Sequence, residues 1–386
     1  MITTDTANGW SNKTLRDLTT INYGKSPKEI LSEDGQYPVV GTGGAERSGI
    51  SFLYDGESIV LGRKGTIEKV YFATGRFWTI DTAYYLSDFN GSLPRWLYYV
   101  LQNMDLRQLN EATGVPSLSR DRLYQIEIAK PPKAEQSKIA EILSTVDRAI
   151  EQTEGLISKQ QRIKTGLIQD LLTHGMDEQG NLRTEETHQF KDSALGRIPV
   201  EWEVVKVKEI AKIVTGDKDT QDRDDAAPYL FFVRSQTVER IASYSFDGEA
   251  VLTAGDGVGT GKVFHYINGK FDFHQRVYCM HSFSDDMEGY FFFHYFQANF
   301  IARVAQFSAK GSVDSVRMAM IAEMLIPKPR EAEQMRSAQI LHKAEQLESD
   351  YTVQLDKLRS LKTALMQDLL TGDKRVTPLL DPTVTN

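Results

Sequence analysis

The segment Leu167-Ile-Gln-Asp-Leu-Leu-Thr173 returns with one substitution as Leu365-Met-Gln-Asp-Leu-Leu-Thr371, an offset of 198 residues. The same offset relates Ile139-Ala-Glu-Ile-Leu143 to Ser337-Ala-Gln-Ile-Leu341. Looser matches precede them, such as Trp10 with Trp202, at offsets that drift between 192 and 194. A period this long indicates duplication of a whole module rather than of a short repeat. The sequence therefore predicts a pseudo-twofold internal repeat, each copy comprising a divergent module followed by a better-matched one.

The better-matched modules have the apolar periodicity of amphipathic helices, with spacings of mostly three, four and seven residues. The apolar positions are Ile139, Leu143, Val146, Ile150, Ile157, Ile163, Leu167 and Leu171 in the first copy, and Ile340, Ala344, Leu347, Tyr351, Leu355, Leu358, Leu361, Leu365 and Leu369 in the second. Prolines stand just before each stretch, and Gly175 and Gly372 stand just after. We expect one long helix over 134–173 and another over 331–372, each a rod of roughly 60 Å.

An apolar stripe of this length needs a partner, and the other copy is the simplest one. We therefore expect two long antiparallel coiled-coil helices that act as spacers. Ordinary bundle helices inside one domain remain the alternative.

The divergent modules, 1–133 and 198–330, have the pattern of mixed α/β domains. Short runs rich in β-branched and aromatic residues and punctuated by glycine predict strands at 37–40, 58–61, 69–72 and 77–80. Short helices are expected at 93–101 and 288–296. The polar segment 174–197 is predicted to be a loop or linker, and 373–386 a tail. The fold class is thus mixed α/β, with two similar globular domains joined by the helices.

The composition is that of a soluble globular protein, with 40% hydrophobic and 25% charged residues. A formal net charge of -8 argues against a protein that coats nucleic acid through bulk positive charge, but not against one with a locally basic face. The single cysteine, Cys279, excludes a disulfide framework and is expected in the core. Without a signal peptide or an apolar run of membrane-spanning length, a cytoplasmic location is expected.

The motifs of common catalytic sites are missing from the sequence. Around Gly261-Lys262 the Walker A positions hold Asp256 and Val263, and we find neither an amino-methylation motif nor a nuclease pattern. The histidines lack metal-ligand spacing, so no metal or cofactor is expected in this chain. The glycine-rich run 255–261 leaves three alternatives open: a plain turn, a loop near DNA phosphates, or a cofactor loop.

Taken together, this arrangement resembles the specificity (S) subunits of type I restriction-modification systems. The likeness lies in Ser58-Ile-Val-Leu-Gly-Arg-Lys-Gly-Thr-Ile67, in Phe77-Trp-Thr-Ile-Asp-Thr82, in 118–132 and in the two Gln-Asp-Leu-Leu-Thr copies. The resemblance implies a non-catalytic subunit whose two target-recognition domains each recognise half of a bipartite, asymmetric double-stranded DNA site. It also implies two methyltransferase subunits bound to the helices, together with restriction or translocase subunits. S-adenosylmethionine and ATP would then be bound by those partners.

Candidate DNA-binding residues are polar or basic side chains, with neighbouring glycines, in corresponding loops of the two modules. In the first module they are Thr42, Gly43, Arg47, Arg63, Lys64, Thr66 and, on phosphate, Arg76. In the second module they are Arg234, Ser235, Gln236, Lys262, Lys270 and Arg276. Arg120 and Arg317 are interpreted as a corresponding pair that faces the DNA backbone. For each arginine, a solvated charge or a salt bridge is the alternative.

The second module departs from the first where Gly62-Arg63-Lys64-Gly65 becomes a stretch around Gly255-Asp256-Gly257. We interpret the loss of both basic residues as a different half-site rather than a lost function. Three rival functions remain: a scaffold that tethers two domains for ligands other than DNA, an enzyme in its own right, and a specificity factor of another phage-defence assembly.

Overall fold

The computed structural model describes residues 9–307 and 315–380, and the chain divides into two compact units. Unit 1 combines the chain up to Gly155 with the segment from Thr352 onward, and unit 2 is Leu156–Tyr351. Each unit holds one divergent module and part of each predicted long helix. Within the described ranges, no helix combines the length and apolar content that a membrane crossing requires.

The module of unit 1 is built from short strands with few helices, as its β-branched and aromatic runs predict. Its strands are β1 (Ser11–Thr14), β2 (Thr20–Tyr23), β3 (Tyr37–Gly41), β4 (Gly44–Gly49), β5 (Tyr54–Asp55), β6 (Ser58–Gly62), β7 (Val70–Ala73), β8 (Arg76–Thr79), β9 (Ala83–Ser87) and β10 (Glu127–Lys130). Its helices are α1 (Leu15–Leu18), α2 (Pro94–Gln102) and α3 (Arg120–Tyr124), and the long helix α4 (Lys133–Thr173) follows. All four strands and the helix expected between 37 and 101 are confirmed.

Two four-stranded sheets of unit 1 have the orders β2-β9-β6-β7 and β4-β3-β8-β5, and β1 pairs with β10. Among the described strands of unit 1, only β3 and β8 pair in parallel, with Val40 opposite Thr79. Every residue of β6 is buried. Trp96 and Tyr99 of α2 lie in the same hydrophobic core as β6 side chains, because α2 packs across this sheet.

The module of unit 2 repeats this plan. Its strands are β11 (Phe190–Ser193), β12 (Gly196–Pro199), β13 (Glu203–Lys206), β14 (Lys212–Thr215), β15 (Tyr229–Phe232), β16 (Glu239–Ile241), β17 (Phe246–Ala254), β18 (Phe264–Phe273), β19 (Val277–His281) and β20 (Leu325–Lys328). Its helices are α5 (Val207–Ile210), α6 (Gly289–Ala305) and α7 (Met318–Ala322), followed by the long helix α8 (Glu331–Thr371). The helix expected at 288–296 therefore continues to Ala305.

A six-stranded sheet in unit 2, β14-β19-β17-β18-β15-β16, takes the place of the two sheets of unit 1. Its one parallel pair, β15 with β18, sets Phe232 opposite Phe273. Strand β18 is continuous where β7 and β8 are separate, because Gly75 turns the chain at φ +73° whereas Gly269 stays paired with Gly248. Cys279 is fully buried among the aromatic side chains of this sheet, as expected.

The segment 174–197, expected to be a loop or linker, carries more structure than its composition suggests. Strand β11 pairs with β12 in a hairpin, and Met176 forms an isolated bridge with Leu182. Arg183 is buried and donates to both carboxylate oxygens of Glu333, at 2.5 and 3.0 Å. Buried Met176, Leu195 packed against the hydrophobic core, and the Arg183–Glu333 ion pair therefore order a segment that has no hydrophobic periodicity.

The helices α4 and α8 are 41 residues long each and run antiparallel in both units. In unit 1 Arg359 pairs with Glu154 at 2.7 Å, and in unit 2 Lys164 pairs with Glu348 at 2.6 Å. Gly175 and Gly372 adopt positive φ just past the helix ends, where a left-handed residue closes the last turn. The predicted fold class, two similar α/β domains joined by two long antiparallel helices, is confirmed.

The buried stripe between α4 and α8 contains fewer apolar side chains than the apolar pattern predicts. Leu355 and Ala344 are buried, but polar Thr153 and Gln160 are buried with them, and the Gln160 amide donates to the Ala344 carbonyl at 3.2 Å. Several apolar side chains expected in the seam are instead 40–47% exposed: Ile163, Leu347 and Leu361. Two helices bury only the stripe that faces the partner, so the rest of a broad apolar face stays in contact with solvent.

Matching polar contacts fix the start of each long helix to its module. In unit 1 the indole of Trp10 donates to Glu135 of α4, and Arg375, from the segment after α8, donates to the same carboxylate. In unit 2 Trp202 and Arg183 make the same contacts with Glu333 of α8. Gln136 and Gln334, one residue further on, accept from the backbone at the start of α2 and α6 respectively. The internal repeat therefore includes the buried polar contacts at the start of each long helix.

Candidate nucleic-acid interface

In unit 1, five of the predicted DNA-binding residues line one polar cavity of about 370 Å³. Thr42 and Gly43 come from the turn between β3 and β4, Arg47 from β4, and Lys64 and Thr66 from the loop after β6. Thr82, just before β9, completes the wall. Residues separated by up to 40 positions in the sequence therefore share one concave, solvent-facing surface.

Glycines allow the loop after β6 to turn back tightly. A Cβ on Gly62 would lie 2.2 Å from the carbonyl oxygen of Thr66, and Gly65 adopts φ +84°. The amides of Arg63 and Lys64 both donate to the carbonyl of Thr82, at 2.9 and 3.1 Å, and the amide of Leu118 donates to the carbonyl of Arg63 at 3.0 Å. These bonds fix the backbone of the loop.

Arg63 and Arg120 flank the half-exposed ring of Tyr23. Their guanidinium carbons lie 5.1 and 4.9 Å from the ring centre, and Arg63 also donates to the Asp81 carbonyl at 3.1 Å. Cation–π contacts of this kind orient an arginine without neutralising it. Arg76 lies elsewhere: it pairs with Asp55 at 2.9 Å and stacks on Phe52, and it does not line the cavity.

In unit 2, Arg234 and Arg276 meet on one carboxylate. Each donates through Nη1 to a different oxygen of Asp256, at 2.9 and 2.7 Å. Burial raises the pKa of the Asp256 carboxyl, but the hydrogen bonds from the two guanidinium groups lower it by more, so the pKa lies below its usual range. The carboxylate is therefore ionised at neutral pH, and the cluster carries a net positive charge.

The loops that carry these groups share two backbone hydrogen bonds and one isolated bridge in the two units. The amide of Gly255 donates to the carbonyl of Arg276, and the amide of Val316 to the carbonyl of Gly255, as Arg63 does with Thr82 and Leu118 with Arg63 in unit 1. Lys64 and Asp256 each form an isolated bridge, with Ser117 and Ser315. The backbone therefore sets Gly255 against Arg63 and Asp256 against Lys64, within the stretch where both basic residues are expected to be lost.

A third equivalence follows from the parallel strand pairs. The amide of Ile80 donates to the carbonyl of Val40 in unit 1, and the amide of His274 donates to the carbonyl of Phe232 in unit 2. In each of these four cases, a site residue lies two positions further along the chain. Thr42 thus corresponds to Arg234, and Thr82 to Arg276. The two frameworks present Thr42, Lys64 and Thr82 in unit 1, and Arg234, Asp256 and Arg276 in unit 2.

The remaining predicted residues of unit 2 are more scattered. Ser235 and Gln236 follow Arg234, and their side chains bond to the carbonyls of Thr237 and Phe264 at 2.9 and 3.5 Å. Lys262 is exposed in the loop between β17 and β18. Lys270 stands at the opposite end of β18, over the ring of Tyr244, so the structure does not bring it into the Asp256 cluster.

The predicted correspondence of Arg120 with Arg317 is wrong by one residue. Arg317 is the N-cap of α7, the position that Ser119 occupies at α3, whereas Arg120 is the first helical residue. A one-residue change turns a side chain on a helix by about 100°. Arg317 is exposed, whereas Arg120 is half-buried against Tyr23.

Several residues of these sites are not among those predicted from the sequence. Thr82, Tyr23 and Asp256 were not proposed as site residues, and neither was His274, whose Nδ1 accepts from the amide of Arg276 at 2.9 Å. The histidine is buried, and burial, followed by the nearby charge of Arg234, lowers its pKa. The signal available in the sequence was the alignment of the loops, which sets Asp256 against Lys64.

A metal site finds no support in the part of the chain that the structure describes, where no group of three or more His, Cys, Asp or Glu side chains could hold an ion. The Nδ1 atom of His274 accepts a hydrogen bond from the Arg276 amide, and its Nε2 atom lies 3.8 Å from the Asp219 carboxylate. The two sites offer hydrogen-bond donors, hydroxyl groups and the carboxylates of Glu46 and Asp256, which suits recognition of an anionic polymer with polar edges.

Comparisons with known proteins agree with this geometry. The family model described as "Type I restriction modification DNA specificity domain" matches twice, at residues 7–160 and 199–356. The MjaVIII type I restriction enzyme specificity subunit of Methanocaldococcus jannaschii is 29% identical over 237 residues, which cover 54% of this chain and 50% of that protein. The EcoDI specificity subunit of Escherichia coli is 29% identical over 146 residues, covering 38% and 32%. The chain thus spans half the length, or less, of these two curated relatives.

Solved structures show the same fold. The S subunit of a type I restriction-modification system from M. genitalium superposes with a TM-score of 0.70 at 16% identity, covering 96% of this chain and 98% of that one. A second structure, from a study of the assembly and conformational transition of the type I R-M system, gives a TM-score of 0.51 at 13% identity, covering 96% and 100%. With two family matches that together cover most of its length, the chain belongs to the type I restriction-modification DNA specificity family.

Proposed function

We propose that this chain recognises a bipartite, asymmetric DNA site and directs methyltransferase and restriction subunits to it. One half-site would be contacted by the module of unit 1 and the other by the module of unit 2. The observation that carries the proposal is the pair of equivalent loop frameworks with different side chains: Thr42, Lys64 and Thr82 in one, Arg234, Asp256 and Arg276 in the other. Two modules alike in backbone and unlike in polar side chains suit the recognition of two different short sequences.

Local charge supports DNA binding by a chain whose net charge is -8. In the framework of unit 1, Lys64 lies between the uncharged Thr42 and Thr82. Arg63 and Arg120 pack against the ring of Tyr23 nearby. The framework of unit 2 carries two arginines for one carboxylate. Base edges and phosphates both accept hydrogen bonds from such groups, so a modest local excess of positive charge is sufficient for contact.

The proposed functional division follows the repeat. Residues 1–133 and 198–330 are the target-recognition domains, 134–173 and 331–372 the spacer helices, 174–197 a linker and 373–386 a tail. Parts of this division, at 1–8, 308–314 and 381–386, lie outside the described residues.

The long helices are the proposed binding surface for two methyltransferase subunits. Apolar side chains on them remain 40–50% exposed, including Leu156, Ile163, Leu347, Val353 and Leu361, and exposed apolar area of this kind favours a protein partner. Grooves at equivalent places support two copies of the partner: one of about 550 Å³ at Tyr98 and Asp147 in unit 1, and one of about 650 Å³ at Tyr290 and Glu345 in unit 2. S-adenosylmethionine and ATP would bind to the partners, and the assembly would act on DNA in the cytoplasm.

Sequencing of methylated bases in a host with and without this chain tests the proposal. With the methyltransferase subunits present, we expect one bipartite adenine-methylated motif that disappears when the chain is deleted. An unchanged set of methylated motifs would contradict a role in DNA specificity. A single continuous motif would contradict the division between two modules.

A further inference from the structure

We propose that Asp256 is a specificity-determining positioning residue, which aims Arg234 and Arg276 at guanine edges in the half-site contacted by unit 2. The inference rests on the proposed function, because it assumes that this cluster faces DNA. It goes further by assigning a base type to one half-site and a role to an acidic residue.

The geometry leaves both guanidinium groups able to bind a base. Each uses Nη1 toward Asp256, and among the described residues neither side chain donates to a second protein group. An arginine has five N–H donors in a fixed fork, so the Nε and Nη2 side of each remains available. The side chains of Arg234 and Arg276 are 40% and 57% exposed and that of Asp256 only 24%, which places the carboxylate behind the two arginines. Arginine donating to O6 and N7 is the commonest specific contact with guanine.

The carboxylate is not needed to fold the loop. In unit 1 the same backbone hydrogen bonds form with Lys64 at the equivalent position, between Thr42 and Thr82, where neither neighbour is charged. Because the loop of unit 1 forms without a carboxylate, we infer that Asp256 in unit 2 acts on its neighbours, Arg234 and Arg276, rather than on the loop backbone. Its effect is to hold two mobile side chains, each with several rotatable bonds, in one orientation before DNA arrives.

An acidic residue at a DNA-facing surface also opposes unselective binding. Without Asp256, two free arginines would bind phosphates of any sequence, because phosphate contacts carry no base information. With it, the cluster has one net positive charge, and phosphates are partly repelled by the carboxylate. Asp256 should therefore lower affinity for wrong sequences while favouring the guanine contacts.

The experiment uses the full chain assembled with its methyltransferase subunits, and duplexes that carry the motif found by methylation sequencing. We measure dissociation constants by competition for the cognate duplex and for one with the second half-site scrambled, at several salt concentrations. For Asp256→Asn, we expect the ratio of the two affinities to fall at least about fivefold, affinity for the scrambled duplex to hold or rise, and the dependence on salt to become steeper. Asp256→Glu should keep most of the selectivity.

A second arm changes the DNA and leaves Asp256 in place. Replacing guanines of the second half-site by 7-deazaguanine removes N7, and we expect the wild-type complex to lose about five- to 150-fold in affinity. The same replacement should have little effect on Arg234→Ala combined with Arg276→Ala. Asp225→Asn, which breaks an exposed pair with Arg223 in the same unit, is the control and should leave selectivity unchanged.

The outcomes separate this inference from the proposed function. A wild-type complex with no preference for any bipartite motif would overturn both. A selective wild type whose second half-site lacks guanine, or tolerates 7-deazaguanine, would overturn the inference alone. So would an Asp256→Asn variant that keeps its selectivity, or that weakens binding to both duplexes equally. Should this variant fail to fold, the 7-deazaguanine arm still decides.

Discussion

Lys64 and Asp256 occupy the same place in two similar frameworks and carry opposite charges. The surrounding backbone hydrogen bonds are shared, so the change of charge alters what the surface can bind without altering the surface itself. In unit 1 the ring of Tyr23 also orients Arg63 and Arg120 through cation–π contacts. At the scale of single residues, the proposed specificity would therefore depend on a few side chains carried by two similar loop backbones.

Arg63→Ala is expected to relax base preference in the half-site of unit 1 and to leave the other half-site unchanged. A bidentate contact between an arginine and a base contributes about 1–3 kcal/mol of discrimination, so the preferred base should lose most of its advantage. Methylation sequencing of a host that carries the variant measures this directly. Arg107→Ala, which removes an exposed partner of Asp105, is the matched control. Loss spread equally over both half-sites would contradict the modular division.

We expect the stability of unit 2 to depend on the protonation of His294 in mild acid. The side chain is 1% exposed, its two ring nitrogens have no hydrogen-bond partner among the described residues, and Glu345 lies 4.0 Å away. Burial lowers the pKa of His294 to about 4; Glu345 raises it in part, and Lys164 lowers it. The equivalent site in unit 1 holds Tyr99, which donates to Asp147 at 2.7 Å and does not gain a proton in this range.

The unfolded chain takes up a proton on His294 near pH 6.5, whereas the folded chain does so only near pH 4. The stability due to neutral His294 is therefore fully present above about pH 6.5 and is lost as the pH falls toward 4, by up to about 3 kcal/mol. We expect the stability advantage of wild type over His294→Gln to shrink across this window, as measured by thermal unfolding. Parallel curves for the two proteins would show that the histidine does not titrate in this way.

At the scale of elements, the contacts that join each long helix to its module are buried and charged. Arg183 and Glu333 have side chains only 8% and 4% exposed, and Trp202 and the amide of Met176 donate to the same carboxylate. A buried ion pair of this kind contributes little compared with an apolar replacement, but removing one partner leaves the other charge without compensation. The start of α8 thus depends on a residue from the segment that follows α4.

Arg183→Ala should lower the free energy of unfolding by about 3–5 kcal/mol, because the buried Glu333 side chain would lose its charged partner. Thermal unfolding measured on the purified chain gives the change. Arg330→Ala removes the exposed pair with Glu178 and should cost only a small fraction of that amount. Similar losses for both variants would mean that the burial of Glu333 has no energetic consequence.

Much of the element pattern follows from the sequence, and the contacts between elements do not. The long helices were predicted from apolar spacing and from the glycines after them, because both signals are local. The strands 58–61 and 77–80 were predicted for the same reason. The Asp256 contacts with Arg234 and Arg276 join residues 22 and 20 positions apart, respectively, through three loops, which no local signal marks. Likewise, Ile163 and Leu361 fit the helical period but lie outside the narrow packed stripe.

At the scale of the whole molecule, the repeat extends to the contacts that close each unit. Arg375, after α8, binds Glu135 at the start of α4, and Arg183, after α4, binds Glu333 at the start of α8. Each module is therefore tied to both long helices, through the start of one and the end of the other. A change in the length of the helices should therefore displace the modules without altering the proposed recognition surface of either one.

A matched insertion of seven residues in both long helices, beside Gly155 and Thr352, is expected to lengthen the unread gap of the DNA site and to leave both half-site sequences unchanged. Seven residues add about 10.5 Å and nearly two full turns, so the packed stripe continues on the same face. At about 3.4 Å per base-pair step, the gap should grow by up to about three base pairs, which methylation sequencing would report. An insertion in α4 alone is the control, and it should impair assembly because the antiparallel pairs on its two sides, Glu154 with Arg359 and Lys164 with Glu348, could no longer form together. A variant that methylates the original motif with its original gap would show that the helices do not set the spacing.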